Sequence, residues 1–178
     1  DPRSLKNHLV NIEIYGTHPE DEFVASVRVL GVLVPLTITA DGTVISGHSR
    51  RQAAIIAGLE TVPCIVSPLT DPDEIERALI ESNRQREKSN EQRAREAARL
   101  LAIEERLAAR RQKATQAKPG EKAAQGGGNV FTTQKQGESF DFGKARDKVG
   151  MVVGMSGPTV RKAVQVVALI DQAMSSGD

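Results

Sequence analysis

The chain of 178 residues has room for one ordinary domain or two small ones. Hydrophobic residues make up 39% and aromatics 3%, with no Trp, so any core must be built from Ala, Val, Ile and Leu. No apolar run approaches the roughly 18 residues of a membrane-spanning helix, and a single cysteine, Cys64, excludes an internal disulfide and a multi-cysteine zinc site.

No charged-then-apolar leader opens the sequence, so the expected location is cytoplasmic. Net charge is +1, but it is divided unevenly. Residues 1–80 carry 6 Lys/Arg against 11 Asp/Glu, and residues 81–178 carry 18 against 12. That asymmetry hints at an anionic partner for the second half.

Phe23, Val27 and Leu30 recur at helical spacing, and Gly31 stops the helix. Leu36 to Thr39 is a β-branched run, Asp41-Gly42 is a hairpin signal, and Thr43 to Ile45 returns as the second strand. Arg50 to Ala57 reads as a short helix stopped by Gly58, and Val62 to Val66 as a strand. Asp71-Pro72-Asp73-Glu74 opens a helix to about Arg84. Ser89-Asn90-Glu91-Gln92 is a capping box before a longer helix through Arg111. From Gln112 to about Phe140, Gly, Lys and Gln dominate, which predicts a flexible linker, with order resuming at Phe142.

Three segments carry chemistry. Val44 to Arg51 is a strand, a glycine turn and a helix start. Helix starts expose unpaired N–H groups and bind phosphate. Gly47 permits close approach, while His48, Ser49 and Arg50 add donors. Taken alone, the pattern fits equally a turn with solvated arginines. Glu81 to Lys88 joins two helices, and its Asn83, Gln85, Arg84 and Arg86 could close over an anion or simply cap and solvate the junction. Lys144 to Ile170 reads as helix, short glycine turn, helix, the shape that puts a recognition helix in the DNA major groove. The small Gly150 and the apolar Val160 flank Gly154 at a spacing that suits close helix crossing. Thr159, Arg161, Lys162 and Gln165 face outward in this reading, with Ser156 at the turn and Lys144 and Lys148 as phosphate contacts. An ordinary α-hairpin is the alternative.

Taken in order, these segments resemble ParB-type partition proteins of the ParB/Srx-like superfamily. Gly31-Val32-Leu33-Val34-Pro35-Leu36 is similar to that family's "GQ-x-P-L" box. Ser46 to Arg50, with Ala53-Ala54 and Ala57-Gly58-Leu59 downstream, is similar to its "GERR…AA…AGL" box, and Asn83 to Glu87 to its "EN-x-QRE" box. Lys144 to Val167 resembles the helix-turn-helix that follows. The chain departs from the pattern at His48 and Ser49, where the family has Glu and Arg, and at Ser82, where it has Glu. The related sulfiredoxins carry a catalytic cysteine in the turn, and this chain has none there.

The resemblance implies an α+β fold: a small mixed-sheet domain over 1–88, then an all-α helix-turn-helix domain over 89–178 with its flexible loop at about 112–140. It implies CTP, with Mg2+, as the ligand of the first domain. Gly31, Pro35, Leu36, Gly47, His48, Ser49, Arg50, Asn83 and Arg86 are then the nucleotide-binding candidates. The implied partners are a centromere-like or operator DNA site, a second copy of the chain and a ParA-type ATPase. Competing readings are a nuclease or a nucleotide hydrolase, a CTP hydrolase among them, using the Gly47 pocket, and a transcription regulator with a degenerate pocket. Near Gly47 the only candidate carboxylates for hydrolysis are Glu81 and Glu87.

Overall fold

A computed structural model describes residues 1–16, 18–116 and 145–176. The element order is β1 (Lys6–Asn7), α1 (Leu9–Tyr15), α2 (Asp21–Leu30), β2 (Leu36–Ile38), β3 (Thr43–Ser46), α3 (His48–Ala57) and β4 (Cys64–Val66). Then come α4 (Pro72–Ser82), α5 (Asn90–Gln116), α6 (Ala145–Val153) and α7 (Gly157–Ser176). The fold is α+β, as expected.

Four strands form one mixed sheet in the order β1-β3-β2-β4. The hairpin predicted at Asp41-Gly42 joins antiparallel β2 and β3, with Gly42 at φ 83°. Asp41 braces the turn by accepting hydrogen bonds from the Thr39 and Thr43 hydroxyls. β1 pairs parallel with β3, and β4 pairs parallel with β2 at the other edge. All three β4 side chains are exposed.

β1 and α1 carry no sequence expectation. Val10, Ile12 and Ile14 alternate in the manner of a strand, yet the segment is helical. His8 caps it by accepting from the Val10 N–H, and the helix buries Val10, Ile14 and Tyr15 while leaving Leu9 and Ile12 exposed. Tertiary burial overrides the local pattern.

Helix starts follow the capping chemistry. Asp71 accepts from the Asp73 N–H at 2.8 Å, with Pro72 in the first turn. Ser89 and Gln92 bond reciprocally at 3.0 and 3.1 Å. The linker expectation is corrected at its start, because α5 continues to Gln116. Good helix formers such as Gln, Lys and Ala sustain a helix without an apolar stripe. The remainder of the expected linker lies outside the described residues.

One buried cluster joins α1, β3, α4, α5, α6 and α7 through Val10, Ile14, Ile45, Leu79, Ile80, Leu100, Val149 and Val160. Burying each such side chain contributes about 1.5–3 kcal/mol before entropy is counted. A smaller cluster packs α2 on α3 through Val24, Val27, Ala53 and Ala54. Along α4 and α5 the contact is ionic. Asp73, almost fully buried, meets Arg106 at 2.6 Å and Arg110 at 3.0 Å, while Asp71 meets Arg110 at 2.8 Å. Among the described residues no helix is long and apolar enough to cross a membrane.

Candidate functional site

β3 leaves the sheet at Ser46, and the chain turns at Gly47, whose φ of 102° lies in the left-handed region that glycine tolerates. A Cβ there would stand 3.0 Å from the Leu36 side chain. The first intrahelical bond runs from the Arg51 N–H to the Gly47 carbonyl at 2.9 Å. The N–H groups of His48, Ser49 and Arg50 therefore have no partner within α3, which is the usual condition of a helix start.

That start opens into a cleft of about 470 Å³. Gly47, His48, Ser49 and Arg50 form one wall, and Ser82, Asn83 and Arg86 from the α4–α5 junction form another. Asn11, Phe23, Val34 and Ser46 complete the lining. The fold thus brings together six of the nine nucleotide-binding candidates. Among the described residues two cations, Arg50 and Arg86, line the cleft and no carboxylate does. Near neutral pH its field favours anions.

The individual side chains are held in specific ways. Arg50 Nη1 donates to the Val34 carbonyl at 2.7 Å and to the Pro35 carbonyl at 2.8 Å. This ties α3 to the loop before β2 and leaves the rest of the guanidinium for other acceptors. Asn83 closes α4 by donating from Nδ2 to the Leu79 carbonyl at 3.0 Å, so its amide oxygen stays available. Arg86 lies over the Tyr15 ring in a cation–π contact, with the guanidinium carbon 5.6 Å from the ring centre.

His48 is buried, and its Nε2 accepts from the His8 N–H at 3.4 Å. Burial, followed by the charges of His8 and Arg51, pushes its imidazole down to about 4. It is neutral near pH 7 and joins the starts of α1 and α3. Arg51 fastens the N-terminal segment to α3 by donating to the Pro2 and Leu5 carbonyls and to Asn7 Oδ1, at 2.9, 2.6 and 3.0 Å.

The other three candidates shape the cleft from behind. Gly31 ends α2 at φ 72°. Pro35 supplies one of the carbonyls that hold Arg50. Leu36 is fully buried beneath Gly47. Sequence reasoning missed Asn11, Phe23, Val34, Ser46 and Ser82 as lining residues. Val34 and Ser46 lie inside quoted motifs and Ser82 beside one, so the sequence held a signal for them. Asn11 and Phe23 arrive from distant segments and carry no local signal.

The lining matches a phosphorylated ligand with an aromatic body. Free N–H groups, the Ser49 hydroxyl and Arg86 suit phosphate oxygens, and Phe23 and Val34 offer apolar surface. A divalent magnesium ion usually takes one or two protein carboxylates besides phosphate oxygens. The cleft offers only amide and hydroxyl oxygens, so the chain itself does not supply a good cage for that ion.

At the other end, α6, a turn and α7 form the expected helix–turn–helix shape. Gly154 has φ 71°, and the Met155 N–H donates back to the Gly150 carbonyl at 2.8 Å. A Cβ on Gly150 would collide with the Met155 carbonyl oxygen, so the close crossing requires glycine there. Ser156 caps α7, its Oγ lying 3.4 Å from the Thr159 N–H and 2.7 Å from the Thr159 hydroxyl. Thr159, Arg161, Lys162 and Gln165 are exposed, while Val160 and Val167 face the core. Lys148 lies elsewhere, lining a second cleft of about 450 Å³ with Arg77, Arg84 and Met151 among others. Lys144 lies outside the described residues.

Residues 5–83, from β1 to the end of α4, match the family model of the ParB N-terminal domain. Over that segment the chain is ParB-like. It is 43% identical over 79 residues to the probable plasmid-partitioning protein ParB of Deinococcus radiodurans, a match covering 43% of this chain and 27% of that protein. It is 42% identical over 69 residues to the chromosome-partitioning protein Spo0J of Thermus thermophilus, covering 37% of this chain and 25% of that one. These matches span about a quarter of the relatives' lengths. Among solved structures, C-terminally truncated ParB from Caulobacter crescentus in complex with the centromeric parS site aligns at 18% identity and a TM-score of 0.44, covering 98% of this chain and 73% of that one. The same protein complexed with CTP-gamma-S aligns at 20% identity and a TM-score of 0.40, covering 98% and 79%.

Proposed function

We propose that the chain is a sequence-specific DNA-binding protein of the ParB type that acts in plasmid or chromosome partition, with CTP bound in the cleft at the start of α3. The observation that carries the reading is the meeting of the free α3 start with Asn83 and Arg86 in one carboxylate-free cleft, built mainly within the segment that matches the ParB N-terminal domain. The chain then divides its work. Residues 1–88 hold the nucleotide, and residues 89–178 hold DNA through the exposed start of α7. In this reading it resides in the cytoplasm on the nucleoid or a plasmid, and it works with a second copy of itself and a ParA-type ATPase.

The test is equilibrium binding of labelled CTP, ATP and GTP, with and without duplex DNA. CTP should bind in preference to the purine nucleotides. Arg50→Ala should weaken it at least about tenfold, or 1.4 kcal/mol, by removing a cation and releasing the Val34–Pro35 loop. Absence of binding at millimolar nucleotide sinks the CTP reading.

A further inference from the structure

Arg86 is exposed and sits on a connector between helices, where a long side chain would ordinarily sample many rotamers. Beneath it runs a chain of three buried groups, Lys88, Glu96 and Tyr15, of which Tyr15 meets the guanidinium. Lys88 Nζ lies 2.8 Å from Glu96 Oε1 and 3.1 Å from Oε2, and the two side chains are 9% and 1% exposed. The same Glu96 carboxylate accepts a hydrogen bond from the Tyr15 hydroxyl. Burial and the adjacent carboxylate push the Tyr15 phenol up, so its proton stays in place to donate. The Tyr15 ring is thereby fixed between α1 and α5, with its face under the Arg86 guanidinium. Cation and ring at this distance attract, and the planar guanidinium suits stacking.

The geometry points to Tyr15 as the positioning residue that holds Arg86 over the cleft, with Glu96 and Lys88 anchoring the ring and the connector against α5. The inference rests on the reading of the cleft as a phosphate site. It adds a physical link between that cleft and the helical half of the molecule. The ring face is the working part, and the hydroxyl serves to orient it.

The ring and the hydroxyl can be separated in the full chain. Tyr15→Phe keeps the ring and leaves Glu96 bonded to Lys88, whereas Tyr15→Leu removes the stacking face. CTP and inorganic triphosphate are titrated into wild type, both variants, Arg86→Ala and the Tyr15→Leu/Arg86→Ala double variant. Thermal melting confirms that each is folded. Tyr15→Phe, which keeps the ring face but loses the Glu96 anchor, should weaken binding less than Tyr15→Leu, which should weaken it about fivefold or more. The double variant should be no weaker than Arg86→Ala alone, because Tyr15 acts through Arg86. Additive losses would assign Tyr15 a general structural role and overturn the inference.

A second readout needs no ligand. The Arg86 Nε–H resonance should show an aromatic ring-current shift in wild type and Tyr15→Phe, and lose it in Tyr15→Leu. An unchanged Arg86 signal in folded Tyr15→Leu overturns the positioning role, whatever the titrations give. If wild type binds neither CTP nor triphosphate at millimolar concentration, the phosphate reading fails, while the resonance still decides whether Tyr15 holds Arg86.

Discussion

His48 shows how a side chain beside a motif glycine can serve the frame of a site. Its unfolded imidazole titrates near 6.5 and its folded one near 4. Between those values the unfolded chain takes up a proton that the folded chain refuses. The stabilisation is therefore complete above about pH 6.5 and is lost as pH falls through 4, a change on the order of 3 kcal/mol. His8, also lowered by burial and by Arg99, acts in the same direction. Urea midpoints should fall between pH 7 and pH 4.5, and fall less in His48→Asn, whereas equal drops would remove His48 from the account. The sequence marks Gly47 to Arg50 as a phosphate-type turn, and the fold builds that turn. It does not reveal that His48 is buried against the His8 backbone or that Arg50 is partly occupied by two loop carbonyls. Those partners lie 40 and about 15 residues away, and a backbone acceptor leaves no side-chain signature.

Among the elements, α6 and α7 depend most on a single small residue. Gly150 is buried where the Met155 carbonyl crosses it. Gly150→Ala should force the two helices apart or break the turn, at a cost of about 1–3 kcal/mol. Melting should report that loss, and DNA affinity should fall with it while CTP affinity stays unchanged. A variant with wild-type melting and DNA binding would show that the crossing is not constrained. This crossing was legible because small, turn and apolar positions share one short stretch. The hairpin and both capped helices were legible for the same reason, each being specified by residues within a few positions. The α1 helix was not, since its alternating Val10, Ile12 and Ile14 imitate a strand and only the fold decides otherwise. The end of α5 is not legible from apolar spacing, because residues of good helix propensity carry it on to Gln116.

Across the whole molecule, the larger buried cluster runs through the boundary expected at residue 88. Val10, Ile14, Ile45, Leu79 and Ile80 pack against Ala97, Leu100, Val149 and Val160. A fragment ending at Lys88 should expose that surface, bind a hydrophobic dye and melt without a sharp transition. A cooperative melt of the fragment would show that the first unit is self-sufficient. The proposed DNA binding belongs to this scale too, since the second half carries the excess of Lys and Arg. Affinity should fall steeply with salt, and Lys162→Ala should shallow the slope by about one unit. Arg161→Ala should instead erase preference between duplexes while leaving much non-specific binding, because a guanidinium can bond one guanine twice. Competition over selected and random duplexes at fixed salt measures both. Retained site preference in Arg161→Ala would move the recognition role to another residue.

The outer edge of the sheet has a practical consequence for handling the protein. β4 ends the sheet with Cys64, Ile65 and Val66 all exposed, and Cys64 is the chain's only cysteine. Any disulfide between two chains formed during storage must therefore join Cys64 to Cys64 and set two apolar strand edges side by side. Such a species would have twice the mass and could pass for a native assembly in a sizing experiment. Its disappearance with reductant, or in Cys64→Ser, identifies it. The same single thiol accepts one fluorophore per chain without prior removal of other cysteines.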